Sequence, residues 1–246
     1  MVVGRAERER PHRTLSVRTC VRYPVKSLGG EELPALDVDD RGVVGDRRWA
    51  LRTARGVASG KRTRHYVRLP HLLDMAAATT PAGVLVALPD GRRLAVDDPA
   101  LPAALRGVVG EPVSLATESD VPHRDAAPLH LVTTASLRWW AGRVPDERAD
   151  RRRLRPNLVV DAPAMDGTDG ERVEDAWVGR RLRVGDVALQ VVEGTERCAM
   201  VSEDQCGLGR GTRLLRALAP HAMTIGVYAR VLAPGTIRVG DPVAVE

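Results

Sequence analysis

The sequence predicts a mostly β protein of the α+β class with short helices, in which a β-barrel domain packs on a smaller, β-rich N-terminal domain. Two observations lead there. Short runs alternating apolar and polar residues recur through the 246 residues, separated by Gly, Pro and Asp turns. Strands are not interleaved with long helices, as a parallel α/β sheet would require, and no internal repeat is present. Many short strands without βαβ units favour a closed barrel.

Taken in order, residues 1–14 read as a charged, mobile tail. Val17, Thr19 and Val21 alternate with Arg18, Cys20 and Arg22, the period of a half-buried strand. The loop YPVKSLGG follows, and Arg47–Arg52 forms a strand entered through the Gly42 and Gly45 turns. Val84–Leu88 and Arg92–Val96 flank Pro89-Asp90-Gly91, a hairpin signal. Pro99–Arg106 is expected as a short helix and Val113–Thr117 as a strand. The Pro-, Asp- and Ala-rich stretch Ser119–Pro128 marks a domain boundary, dividing 15–118 from 119–246. Beyond it, Leu129–Val132 is a strand. Thr133 or Thr134 caps a helix carrying Leu137, Trp139 and Trp140. Asp146–Leu154 and Thr212–Leu218 are expected as helices. Asn157–Val160, Leu182–Val184, Val187–Val192, Thr224–Val231 and Ile237–Val245 are expected as strands.

Composition excludes several classes. Hydrophobic residues make up 43% and charged residues 28%, which places the chain among folded globular proteins and not disordered ones. No apolar run reaches the ~20 residues of a membrane span, and the N-terminus has no apolar signal core. The expected location is cytoplasmic, with its three cysteines reduced. The net charge of +5 invites a nucleic-acid partner. The basic residues are interspersed with acids, however, and Phe is absent, so base-stacking platforms are scarce. An anionic small ligand is the better candidate.

Cys198 follows Arg197 just beyond an expected strand; a thiolate is a nucleophile and a soft metal ligand, and an adjacent guanidinium favours it. Taken alone, a lone intracellular cysteine is more often a small buried hydrophobe. Cys20 and Cys206 read as structural. The histidines form no zinc-protease or zinc-deaminase pattern, and no GxSxG elbow or complete P-loop is present. Lys26 and Ser27, in a glycine-bounded loop, suit a phosphate, as do Arg47 and Arg48, and Arg155 with Asn157. Individually each of these is an ordinary surface turn.

The segments YPVKSLGG, GVVGDRRWAL, LVTTASL, LRPNLVV, EDAWVGRRLRVGDVALQVVEGTERCAM and VLAPGTIRVGDPV occur in this order. Together they resemble the MOSC-domain proteins that begin with a MOSC N-terminal β-barrel domain, the group of the amidoxime-reducing components. The resemblance runs from about Val17 to the C-terminus. It implies a molybdenum cofactor, a pterin with a dithiolene and a phosphate, held between the two domains. By that likeness Cys198 is the protein thiolate on molybdenum. Lys26, Ser27, Arg47, Arg155, Asn157 and Arg197 would hold the pterin and its phosphate, with Thr133 and Tyr228 approaching it.

The implied activity is reduction of N-hydroxylated small molecules such as amidoximes, hydroxylamines and hydroxamates. The chain has no four-cysteine cluster, so electrons would come from a separate reductase or an iron–sulfur or haem carrier. Where the family has an Asp-Pro-Asp-Thr-Gly-like stretch after the RC motif, this chain reads Ser202–Gly207, with Cys206 as a second thiol. Two other readings remain open: a sulfur carrier or sulfurtransferase using a Cys198 persulfide, and a protein that carries the molybdenum cofactor without turning over.

Overall fold

The structure, a computed structural model, describes residues 14–60, 66–119, 123–124, 126–162, 172–205 and 207–246. The expected tail, apart from Thr14, lies outside these residues, as do part of the 119–128 stretch and Cys206.

The N-terminal part of the chain forms β1 (Ser16–Arg22), β2 (Glu31–Leu33), β3 (Ala35–Asp39), β4 (Gly42–Val43), β5 (Trp49–Thr53), β6 (Gly56–Ser59) and β7 (Tyr66–Arg68). It continues through β8 (Ala76–Thr80), β9 (Gly83–Ala87), β10 (Arg93–Ala95), helix α1 (Leu101–Val109) and β11 (Ser114–Thr117). The C-terminal part holds β12 (Leu129–Thr133), α2 (Thr134–Arg143), β13 (Leu158–Asp161), β14 (Arg181–Val184), β15 (Val187–Glu196), β16 (Thr224–Ala233), β17 (Gly235–Arg238) and β18 (Val243–Val245).

The main sheet runs β18-β14-β15-β16-β12-β13-β1-β2, with only β12 and β13 parallel. It curls back on itself, because Val17 N–H donates to the Asp241 carbonyl and Val243 N–H to that of Leu15. Its interior is filled by alternating residues such as Leu129, Leu131, Leu158, Leu182, Leu189 and Val227. All five residues of β12 are buried, since α2 covers the outer face with Trp139 and Trp140. A second unit, with sheets β11-β5-β6-β7 and β10-β9-β8 and helix α1, has its own core around Leu28, Leu51, Met75, Val86 and Leu105. The fold is therefore mostly β, with few short helices.

Strands β1, β3 and β4 precede the expected boundary in sequence, yet they pack in the C-terminal core through Val17, Cys20, Leu36, Val38 and Val43. β1 pairs with β13 and β3 with β17. The chain thus crosses into the second core and back along residues 23–30, the YPVKSLGG loop, where Val25 and Leu28 join that core before β2 rejoins the main sheet. That loop is fixed from both sides: Lys26 N–H donates to the Trp49 carbonyl, Gly29 N–H to that of Met75, and Arg47 N–H to that of Tyr23.

Three elements differ from expectation. Asp146–Leu154 is not an α-helix and contains only a short 3-10 turn at Arg151–Arg153. The acids that suggested a helix bond to backbone instead, which competes with helix formation. Asp150 accepts from Arg152 N–H, and Glu147 accepts from the amides of Thr212, Arg213 and Leu214. The expected 212–218 helix is instead a 3-10 run, Arg216–His221, because Glu147 holds its start and Pro220 sits within it. Ile237–Val245 breaks into β17 and β18, where Gly240 turns at φ +93° and Asp241 accepts from Arg238 N–H. Among the described residues, no helix is long and apolar enough to cross a membrane.

Candidate functional site

One cavity lies where the crossing loop, the Asp46–Arg47 turn, the segment before β13 and the end of β15 converge. Lys26, Ser27, Arg47, Arg155, Asn157, Arg197, Cys198 and Tyr228 all line it. Thr133 does not. Its hydroxyl caps α2 by accepting from Ser136 N–H and donates to the buried Glu174 carboxylate, so it is committed within the core.

The backbone at the cavity is unusual. Ser27 (φ 66°), Arg47 (φ 50°) and Arg155 (φ 57°) are all left-handed, a conformation non-glycine residues rarely adopt. Each such residue costs on the order of 1–3 kcal/mol, and such strain persists only where the surroundings over-determine it. Here the main-chain bonds on either side of Ser27, and that of Arg47 N–H to Tyr23, impose it.

The inner wall is a connected polar network. Asp46, nearly fully buried, accepts from Tyr23 N–H at 2.8 Å and from Asn157 Nδ2 at 3.1 Å, and pairs with the Arg47 guanidinium. Asn157 Oδ1 in turn accepts from His130 N–H at 3.2 Å, and its Nδ2 also donates to the Val21 carbonyl. Arg47 and Arg155 lie over the Tyr23 ring, at 4.8 and 4.3 Å, which orients both guanidinium groups. Lys26, only 4% exposed, donates to the His123 carbonyl at 2.7 Å and lies 4.3 Å from the Tyr66 ring centroid. Arg197 donates to the Leu154 carbonyl at 2.6 Å. Six basic side chains line the cavity: Lys26, Arg47, Arg124, Arg153, Arg155 and Arg197. Among the described residues, the acidic lining is Glu196 alone. Such a cavity attracts anions.

Several lining residues carry no motif signal. Arg153 is fully buried and donates to the carbonyls of Arg148, Val201, Glu203, Leu208 and Gly209. It therefore shapes the segment that follows Cys198. His130, at 4% exposure, stands with its ring 5.6 Å from that of Tyr228. Its Nε2 has no hydrogen-bond partner among the described residues. Burial holds its pKa well below the usual histidine range, and the Arg197 and Arg47 charges push the same way. A lone polar residue in the apolar run Leu129-His130-Leu131-Val132 was the available clue. Cys198 is half-buried at the cavity edge, whereas Cys20 is fully buried in the barrel core, its thiol pushed up to about 11 mainly by burial.

Comparison with known proteins agrees with this architecture. The MOSC domain model matches residues 118–244, and the MOSC N-terminal beta barrel domain model matches residues 14–116. Mouse mitochondrial amidoxime-reducing component 1 is 29% identical over 141 residues, a stretch covering 52% of this chain and 39% of that protein. The chain thus aligns with about two fifths of its relative's length. Among solved structures, the YuaD protein from Bacillus subtilis aligns over 94% of this chain and 95% of its own, with 17% identity and a TM-score of 0.49. YiiM from Escherichia coli aligns over 95% of this chain and 68% of its own, with 11% identity and a TM-score of 0.43. The chain belongs to the MOSC-domain family, with a MOSC N-terminal β-barrel domain preceding its MOSC domain.

Proposed function

We propose that this chain is an oxidoreductase that holds a molybdenum cofactor in the cationic cavity, with the Cys198 thiolate on the metal, and reduces N-hydroxylated small molecules. MOSC domains are associated with that cofactor, and the mouse relative's name is that of an amidoxime-reducing component. The observation that carries the reading is the convergence of Cys198 and six basic side chains on one cavity.

The residues fit such a group. A soft thiolate suits a thiophilic metal, and clustered guanidinium and ammonium donors suit a pterin phosphate. Among the described residues there is no cluster of three or more His, Cys, Asp or Glu able to hold a bare ion. A metal held through Cys198 therefore fits best when it brings its other ligands with it. Lys26, Ser27, Arg47, Arg155, Asn157 and Arg197 would hold the pterin and phosphate, and Tyr228 the edge beside His130.

When bound, the cofactor supplies two-electron chemistry that removes oxygen from an N–OH group. The chain's part is orientation: Asp46 fixes Arg47 and Asn157, Tyr23 fixes Arg47 and Arg155, and Arg153 fixes the post-cysteine segment. Electrons come from a separate carrier protein.

The test is the Cys198→Ala variant, made in a host that synthesises the cofactor. Molybdenum retention and reduction of benzamidoxime should both be lost. Wild-type turnover in this variant would remove the proposal. Full folding with no molybdenum in the wild type, beside a control protein that loads, would instead favour a persulfide carrier at Cys198. Molybdenum without turnover would favour a cofactor carrier.

A further inference from the structure

Among the described residues, Glu196 is the one carboxylate lining a cavity that six basic side chains also line. It is the last residue of β15, paired with Thr224 of β16, and its side chain is exposed. Its carboxylate has no hydrogen bond or ion pair among the described residues, and its neighbour Arg197 turns away to the Leu154 carbonyl. Cys198 lies two residues further on along extended backbone, a span of about 7 Å. A carboxylate left open at the mouth of a cationic site, beside the thiol, weakens rather than helps anion binding. Exposed and unpaired, it is open to a cationic group that enters the site from solution.

We propose that Glu196 is a specificity residue that grips the nitrogen end of substrates whose reduced product is a cation. This rests on the function proposed above. Reduction of an amidoxime takes two electrons from the carrier protein and two protons, breaks the N–O bond, and gives an amidine and water. The amidine, a strong base, takes up a third proton to become an amidinium. Its two parallel N–H groups match a carboxylate in the same fork geometry as a guanidinium. A hydroxamic acid loses the same oxygen but gives a neutral amide, which offers Glu196 no charge. Glu196 thereby biases the site toward amidoximes and N-hydroxyguanidines.

The test compares wild type, Glu196→Gln and Glu196→Asp as loaded proteins, normalised to molybdenum content. Titration calorimetry with benzamidine reads binding without turnover. Benzamidine should bind wild type, bind Glu196→Gln about tenfold more weakly, and regain affinity in Glu196→Asp. The ratio of kcat/KM for benzamidoxime over benzhydroxamic acid should fall about tenfold in Glu196→Gln. Equal benzamidine affinity in wild type and Glu196→Gln, or an unchanged substrate ratio, would overturn it. Wild type that carries molybdenum but does not bind benzamidine would overturn it as well. Absence of molybdenum from wild type would overturn the underlying function and this inference with it, and elemental analysis alone identifies that case.

Discussion

The two sides of the cavity are built differently. The inner wall, from Tyr23–Ser27, Asp46–Arg47 and Arg155–Asn157, is buried apart from the half-buried Arg47 and Arg155, strained at three residues and cross-bonded through Asp46 and Asn157. The lip, from Glu196 to Met200, is half-buried to exposed, and its carboxylate has no partner among the described residues. Strain and buried bonds suit a group that never changes, since preorganised donors lose little on binding. An exposed lip suits partners that vary from one turnover to the next. The wall is thus read as holding the pterin and phosphate together with Arg197, and the lip as the edge where Cys198 would take the metal and Glu196 meets substrate.

That contrast can be broken in several ways. The largest effect is expected at Lys26. Removing its charge-assisted donor in Lys26→Ala should lower molybdenum occupancy of purified protein by about tenfold or more. Unchanged occupancy would mean that the wall does not hold the ligand's anionic part. Next is Asp46→Ala, which leaves the Arg47 guanidinium and Asn157 without their buried partner. It should cost about 3 kcal/mol, or roughly 6–12 °C in Tm for a chain of this size. A shift under about 2 °C would show that the network does not stabilise the wall.

A smaller effect is expected from pH. The folded protein keeps His130 neutral through burial and the nearby Arg197 and Arg47 charges. The unfolded chain takes up a proton there below about pH 6.5. Its contribution to stability is therefore full above that pH and is lost as pH falls, at up to about 1.4 kcal/mol per unit. His123, also buried and shifted down by burial, adds to the same slope. Denaturation of His130→Gln between pH 7 and 5 should show a shallower slope than wild type. An identical slope would contradict the assignment of a neutral, buried imidazole.

The wall and lip were not equally legible in the sequence. Lys26, Arg47, Arg155 and Cys198 each read alone as an ordinary turn or a buried cysteine, and only the resemblance joined them into one set; the structure brings them to one cavity. Thr133 separates two kinds of reading: the residue pattern placed a helix cap at Thr133 or Thr134, as the structure has it, whereas its approach to the cofactor came only from the resemblance. A threonine hydroxyl before a helix serves equally as a cap or a ligand contact, and here it caps α2 and bonds to Glu174. Asp46 was hidden among arginines, where an acid looks like a solvated counter-charge, and only its burial reveals it as the hub. The strand alternation located β1, β5, β12 and β15 well. The short strands β2–β4 and β6–β8 were not foreseen; β2–β4 lie among Gly30, Pro34, Asp40 and Gly45, which read as turns. The Asp146–Leu154 helix failed because its acids bond to backbone amides, a preference that composition does not display.

The most direct test of the central claim is molybdenum per chain, measured by elemental analysis on wild type and Cys198→Ala purified side by side from a cofactor-producing host. Close to one metal per wild-type chain is expected, and essentially none in the variant. Equal molybdenum in both, or none in wild type while a control protein loads fully, would contradict it.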